Sequence, residues 1–495
     1  MQNKAIEILG RLRDAGVVVK ELATDSRRVR AGDVFLAYPG ARQDAREFIS
    51  GAIANGAAAV LWEQAGCEAN QDWRVPNFAV ENLRELAGHL AHEVYGRPSE
   101  KLWVIGITGT NGKTSCSQWL AQACEACGAR TAVIGTLGIG FPGALDESIN
   151  TTPDAVLVHR SLQRLHAAGA QGVAMEVSSI GLDQGRANGV AFGAALFTNL
   201  SRDHLDYHGD MEHYARSKQK LFLMPGLKNA VVNLDDVQGV HIARMLAGRG
   251  VNRAGYSCFE EVAARSGLER FVEAHRISLS AQGTAFEIMS SWGEARVTTP
   301  LLGRYNVSNL IAVLATMLVS GVPFDDAAAA LEKLSSVPGR MERIGGGARP
   351  LLVIDYAHSP DALENVASAL KDVALAQGGR LFIVFGCGGE RDRGKRPLMG
   401  ATASRHADHI IVTSDNPRGE DPLAIIDEIA AGITLAYEAI ADRREAIGAA
   451  VSAARAGDVV LLAGKGHETH QEIGGRKLPF SDAREAHAAL SRWAQ

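Results

Sequence analysis

Apolar residues in this chain fall into short continuous runs separated by stretches of helical periodicity, the pattern of parallel strands buried between layers of helix. The run from Leu102 to Ile107 reads as a buried strand, and Gln118–Cys127 beyond it carries apolar residues at helical spacing. Runs at 131–134, 172–175, 194–197 and 229–233 repeat the rhythm, which implies a sheet covered on both faces. A second series has strands at 351–355, 381–385, 409–412 and 459–462, with helices from Asp361, over 423–433 and over 443–456. Ahead of both, 33–37 and 58–62 read as strands around helical sequence between Ala45 and Ala57, too little for a complete doubly wound domain. The fold class expected is α/β in three domains. Residues 1–98 form a small N-terminal α/β domain. Residues 99–337 form a central P-loop domain with a mostly parallel sheet. Residues 338–495 form a doubly wound, Rossmann-like domain. Arg97–Glu100 reads as a linker and Val337–Arg340 as the second boundary.

Composition narrows the class. A chain of 495 residues fits about three domains. With 46% hydrophobic and 22% charged residues it can build real cores. The net charge of −5 and the lack of long Lys/Arg runs argue against a nucleic-acid surface or a membrane patch. No apolar stretch approaches the roughly 20 residues that span a bilayer, and the start lacks a signal-peptide core. Six scattered cysteines do not make a disulfide framework, so the expectation is a cytoplasmic protein. Cys124 and Cys127 form a C-x-x-C within the helix, but no second pair stands at zinc-like spacing, so they read as small core residues.

Gly109-Thr110-Asn111-Gly112-Lys113-Thr114-Ser115 lies between the first central strand and its helix. Glycines let backbone N–H groups converge on a ligand, and the helix N-terminus favours phosphate. Lys113 would reach the terminal phosphates and Thr114 would ligate Mg²⁺. The loop is a shortened variant, because Ile107 occupies the position where a P-loop has its first glycine. It reads as a nucleotide site.

Ligands gather at the carboxyl ends of parallel strands, and polar clusters stand there. They are Asn150-Thr151-Thr152-Pro153, Glu176 to Ser179, Thr198 to His204, Asp355 to Pro360, Gly386 to Arg391, Ser414 to Arg418 and Ala463 to Glu468. Glu176 can share a cation with Thr114, or cap a neighbouring turn. His204 can ligate a metal, or be a structural histidine. Lys218 alone reads as a solvated helix lysine. Asn306 can cap the helix running to about Val319, or hold a ligand. Two polar turns, Glu21–Arg28 and Tyr38–Ala45, flank one N-terminal strand and can converge on a ligand or be ordinary capped turns. His467-Glu-Thr-His470 is not a metalloprotease helix, since the position four after His467 is Gln471.

Taken together and in order, Gly-Thr-Asn-Gly-Lys-Thr, Asn-Thr-Thr-Pro, Met-Glu-Val-Ser-Ser, Thr-Asn-Leu-Ser-Arg-Asp-His-Leu-Asp-Tyr-His, Gly-Arg-Tyr-Asn-Val-Ser-Asn, Pro-Gly-Arg-Met-Glu, Asp-Tyr-Ala-His-Ser-Pro, Asp-Asn-Pro-Arg and Ala-Gly-Lys-Gly-His-Glu resemble the Mur ligase family over essentially the whole chain. Within it they resemble the branch that adds meso-diaminopimelate to UDP-N-acetylmuramoyl-L-alanyl-D-glutamate in cell-wall precursor synthesis. The resemblance implies an ATP-dependent amide ligase working through an acyl phosphate with two Mg²⁺ ions; a monomer is expected, though nothing in the sequence itself speaks to the oligomeric state. The resemblance implies Thr114 and Glu176 on one Mg²⁺, His204 at the second, and a CO₂-derived carbamate on Lys218. It places Thr24, Ser26 and the turn Ala41-Arg42-Gln43 at the uridine-diphosphate end. Asn150, Thr151, Thr152, Ser178, Gln184 and Arg186 match contacts to the muramoyl dipeptide. Asn306, Asn309 and Arg340 match the nucleotide side. Arg391, Asp415, Asn416, Pro417, Arg418, Gly464 and Glu468 match the amino-acid pocket, with Glu468 suited to the distal ammonium.

Arg418 decides between amino acids. Diaminopimelate exceeds lysine by one carboxylate, which a guanidinium fork binds with two charge-assisted hydrogen bonds. The sequence departs from the family at Ile180, where a histidine often follows Glu-Val-Ser-Ser, so position 180 is not expected to be a ligand. The alternatives are a lysine-adding member, against which Arg418 argues, and a folylpolyglutamate synthetase-like ligase, which typically has Gly-Lys-Gly-Ser and no domain like 1–98. A nucleotide-binding switch without ligase activity would need no third-domain pocket.

Overall fold

The computed structural model describes residues 1–40, 43–280 and 282–493. They build three large sheets with helices packed on both faces of each, and a separate two-stranded hairpin.

The central sheet has eleven strands. Its middle is parallel and nearly all apolar, as strands covered on both faces must be. Trp103–Thr108 lies between Ala194–Phe197 on one side and Gly172–Glu176 on the other. The chain leaves Trp103–Thr108, passes to Thr131–Gly135, returns to Gly172–Glu176 and then crosses to Ala194–Phe197. Strand order therefore reverses around Trp103–Thr108, which opens a crevice at the carboxyl ends. In register, Ile107 faces Glu176 and Thr108 faces Phe197, so the loop after Thr108 is flanked by Glu176 and by Thr198–His204. Helices Lys113–Ala126 and Arg304–Val319 cover one face, and Ala155–Ala167 and Val237–Met245 the other.

Both edges are antiparallel. Gly138–Phe141 and Ala144–Asp146 extend one, and Arg270–Ser280, Gly283–Ser290 and Glu294–Thr299 extend the other. The sequence reading had no strands there. In Arg270–Ser280 the register shifts between His275 and Ser278, which breaks the two-residue alternation that would mark a half-exposed strand.

The N-terminal sheet is a four-stranded parallel sheet in sequential order. It joins the central sheet through helix Leu83–Val94, which packs on Ala155–Ala167. A Cβ at Gly88 would stand 2.0 Å from the Asn188 carbonyl oxygen, so the approach requires glycine. Arg97–Glu100 is no loose linker: Pro98–Glu100 is a 3₁₀ turn with Pro98 and Ser99 buried, and the Ser99 hydroxyl accepts the Ala191 N–H at 3.0 Å.

The third sheet has six strands ordered Glu342–Gly345, Leu351–Asp355, Val459–Ala463, Leu381–Phe385, His409–Val412 and Tyr437–Ala439. Only the first pairs antiparallel. Helix Lys395–His406, the edge strands and the hairpin His470–Ile473/Arg476–Pro479 add to the elements read from sequence. The hairpin puts His467 and His470 outside any helix. Arg443 and Asp482, both fully buried, pair at 2.7 Å beneath the strand ends, and Arg443 also donates to the Ala463 carbonyl.

Candidate functional site

The turn Gly109–Gly112 is shaped by its two glycines. Both take positive φ, and a Cβ on either would collide: 1.8 Å from Thr198 Oγ1 at Gly109 and 2.4 Å from Asn309 Oδ1 at Gly112. Lys113 folds over the turn and donates to the Gly109 and Thr110 carbonyls at 2.8 and 2.9 Å. Thr114 Oγ1 donates to Glu176 Oε2 at 2.9 Å, and the Thr136 amide and hydroxyl also point at this carboxylate. The Ser117 hydroxyl also donates to it at 3.5 Å, and a fully buried carboxylate held only by neutral donors suits a cation shared with Thr114.

Lys218 is buried at 1% exposure, against the solvated reading from sequence. It donates to the Gly109 carbonyl at 2.8 Å and sits 4.3 Å from the centre of the Tyr214 ring. Burial, then the nearby charge of Lys113, pushes its pKa well below that of an ordinary lysine. His204 takes a left-handed φ of +53° at the head of a short helix. Its side chain keeps 45% exposure, but loss of hydration against the cavity wall outweighs the attraction of Asp203 and lowers its pKa to about 4, which leaves the ring neutral with a free lone pair at neutral pH. Asp203 lies 3.5 Å from His204 Nε2 and 3.7 Å from His358 Nε2. Burial would raise its pKa, but His358, His204 and Lys395 together bring it below the usual carboxylate range.

Glu176, His204, Lys218, Lys113 and Thr114 line one small cavity of about 140 Å³. That cavity is a junction. It shares Asn111, Gly112, Ser115, Arg340 and Tyr356 with a cavity of about 340 Å³ that Asn306 and Asn309 also line. It shares Asp203, His204, Tyr356 and His358 with a cleft of about 860 Å³ between the sheets. Arg340 lies across the junction, its guanidinium 4.5 Å from the Tyr356 ring centre and donating to Thr114 Oγ1 at 3.2 Å. Its Nε is buried without a partner, an N–H available to an anionic ligand. Asn111 donates to Asp361 at 3.1 Å and Arg202 pairs with Asp392 at 3.3 Å, so the central and third sheets meet across the site. Among the described residues no three His, Cys, Asp or Glu side chains converge as a metal centre. The donors that fit Mg²⁺ are instead the Thr114 hydroxyl, Glu176 and the neutral His204.

Asn306 does not cap its helix. Gly303 holds the cap position, and Asn306 Nδ2 donates to the Leu302 carbonyl at 2.8 Å. The large cleft collects Asn150, Gln184, Arg186, Arg391, Asp415, Asn416, Arg418, Gly464 and Glu468 from the sequence-derived set. Thr151 and Ser178 line the junction, whereas Thr152 stands behind them. Its fully buried hydroxyl donates to the Glu176 carbonyl at 3.0 Å and accepts the Ser178 N–H at 2.9 Å, so it holds the floor. Pro417 likewise lies behind the lining. Ile180 is in the cleft wall, and its neighbour Ser179 bonds His208 Nε2 through Oγ at 2.9 Å.

In the third-domain wall, Arg418 has φ +53°, donates to the Gly389 carbonyl at 2.6 Å and pairs with Glu472 at 3.3 Å. Glu468 Oε2 accepts from Asn416 at 2.8 Å and from the fully buried Lys465 at 2.7 Å. Burial raises the pKa of Asp415 beside them. The wall thus offers carboxylates and guanidinium groups together, the complement of a zwitterion.

Thr24, Ser26 and Gln43 line a separate cavity of about 430 Å³ against the N-terminal sheet, so the two polar turns do converge. Ala41 and Arg42 of the same turn lie outside the described residues. Sequence reasoning missed Thr136, Asp203, His358 and Lys465. The last three stood in quoted motifs, and Thr136 carried no local signal.

Three family models match the chain: the Mur ligase family catalytic domain over residues 18–95, the Mur ligase middle domain over 107–317 and the Mur ligase glutamate ligase domain over 339–466. The UDP-N-acetylmuramoyl-L-alanyl-D-glutamate–2,6-diaminopimelate ligase of Chromobacterium violaceum is 51% identical over 485 residues, covering 97% of this chain and 96% of its own. That of Janthinobacterium sp. is 50% identical over 481 residues, covering 95% and 94%. A solved structure of a ligase of that name matches with TM-score 0.68 at 37% identity, covering 96% of this chain and 95% of its own.

Proposed function

This chain belongs to the Mur ligase family, and we propose that it joins meso-diaminopimelate to the D-glutamate carboxylate of UDP-N-acetylmuramoyl-L-alanyl-D-glutamate, with ATP cleaved to ADP and phosphate. The reaction belongs to cytoplasmic peptidoglycan precursor synthesis, and the enzyme works as a monomer. Residues 1–98 hold the UDP end, 99–337 the ATP and 338–495 the amino acid.

The junction cavity carries this reading. It is where a nucleotide in the Asn306/Asn309 cavity and an acceptor in the large cleft would meet. A carboxylate and a triphosphate repel, so their approach requires converging positive charge. Lys113, Arg340 and the cation ligands Thr114, Glu176 and His204 supply or hold that charge. Bound Mg²⁺, as two ions, would screen the phosphates and orient them. Lys218 is suited to carry a carbamate. CO₂ adds to a neutral amine, and burial beside Lys113 favours the neutral form. The addition releases a proton, and the resulting anionic carbamate would be suited to hold a further Mg²⁺. The carboxylate oxygen then bonds to the γ-phosphorus, ADP leaves, and the amine attacks the acyl carbon to expel phosphate. Arg418, Arg391, Asp415, Asn416 and Glu468 orient the amino acid, and Arg418 selects its distal carboxylate. A lysine-adding enzyme would have no use for that guanidinium.

Phosphate release with UDP-muramoyl-dipeptide and ATP tests the reading. Diaminopimelate should support it, and lysine and ornithine should support little. Equal release with lysine would remove the selectivity, and no release with any of the three would remove the ligase.

A further inference from the structure

The cavity under the N-terminal sheet and the large cleft share two described lining residues, Tyr38 and Gly40. Any ligand that occupies both must cross this neck. Arg84, from helix Leu83–Val94, and Arg186, from the central domain, line the cleft there, and both act electrostatically on the Tyr38 hydroxyl. Among the described residues neither guanidinium is paired with a carboxylate. Arg84 donates to the Pro39 carbonyl. Arg186 donates to Gln184 Oε1 and to the Thr152 carbonyl at 2.8 Å. Asp154 acts on Tyr38 in the opposite sense and more strongly than either arginine, and its Oδ1 accepts the Val156 and Leu157 N–H groups as a helix cap.

Two guanidinium groups without carboxylate partners, from two domains, thus face the passage between two cavities. Tyr38 and Gly40 complete the neck, with Asp154 beside them as an acid whose Oδ1 is occupied by two helix N–H groups. The complement of such a neck is a compact dianion within an elongated ligand.

We propose that Arg84 binds the diphosphate that links uridine to the sugar, with Arg186 opposite it, and so sets the preference for nucleotide-linked over free muramoyl substrates. The assignment rests on the substrate reading above, with the uridine in the smaller cavity and the muramoyl dipeptide in the cleft. A guanidinium fork matches phosphate oxygens in shape as well as charge. The competing role for Arg84 is mechanical, bracing the Tyr38–Gly40 turn through the Pro39 carbonyl.

Calorimetry on the full chain with UDP and with uridine separates these roles, using Arg84→Gln, which keeps an N–H donor for Pro39 but loses the charge. The wild type should bind UDP more tightly than uridine. Arg84→Gln should weaken UDP by about tenfold or more and leave uridine unchanged. The KM for the UDP-linked substrate should rise by a similar factor with kcat nearly constant, and the salt dependence of UDP binding should flatten. An unchanged UDP-to-uridine ratio, or equal loss of both ligands, would overturn the phosphate contact. A wild type that binds neither ligand would overturn the substrate reading itself.

Discussion

Lys113 and Lys218 donate to the same acceptor, the carbonyl oxygen of Gly109, each at 2.8 Å. One lysine heads the helix after the glycine turn, and the other comes from a helix about a hundred residues later in the chain. Two ammonium groups on one buried oxygen repel, and burial already disfavours charge on both. The arrangement supports a division of labour, with Lys113 as the phosphate-facing cation and Lys218 as the neutral amine that accepts CO₂.

Lys218→Ala should therefore lower kcat by about a hundredfold or more, the scale on which removal of an electrostatic contact in a dry site is felt. Short carboxylates such as formate should restore part of the loss by occupying the vacated space. Initial rates with and without formate, on protein whose melting temperature matches the wild type, test this. Full activity of the variant without additive would refute the carbamate.

Arg418→Ala should lower kcat/KM for diaminopimelate by about tenfold to a hundredfold, corresponding to roughly 1.5–3 kcal/mol for a hydrogen bond to a charged group. The already poor use of lysine should change little, because lysine leaves the guanidinium without its carboxylate. Competition between the two amino acids gives the ratio directly. Equal losses on both would mean that Arg418 only shapes the loop it shares with Gly389 and Glu472.

Acid should loosen the seam between the N-terminal and central domains through His159. This imidazole is fully buried, bonds the Asn188 carbonyl at 2.9 Å through Nε2 and has no partner at Nδ1. Burial, against the Asn188 bond, lowers its pKa from 6.5 to about 3. The folded state thus prefers the neutral ring. That contribution is complete above pH 6.5 and is lost as pH falls toward 3, at up to about 1.4 kcal/mol per pH unit. Urea unfolding between pH 7 and 4 should show a shallower decline for His159→Gln than for the wild type. Identical slopes would mean that His159 does not titrate in this range.

Legibility from sequence followed how local the cause was. The glycine turn, Lys113 and Thr114 could be read because strand, turn and helix are contiguous, and Glu176 because it ends an apolar run. Lys218 could not be read from its own helix, Met211–Gln219, whose polar sequence does not say which face is covered. Its burial comes from packing against Gly109, far away in sequence. The antiparallel edge strands escaped notice where a bulge breaks their alternation. Thr152 was expected at the substrate through its motif, but its hydroxyl is turned inward to Glu176 and Ser178. Arg84 stood in no motif and emerges only where two cavities meet.

The most direct test of the meeting of nucleotide and acceptor at the junction follows one oxygen. UDP-muramoyl-dipeptide labelled with ¹⁸O in its D-glutamate carboxylate is turned over with ATP and diaminopimelate, and the phosphate is examined by mass spectrometry. Attack of the carboxylate on the γ-phosphorus predicts one ¹⁸O in each phosphate released. Unlabelled phosphate, with amide product formed, would contradict the account.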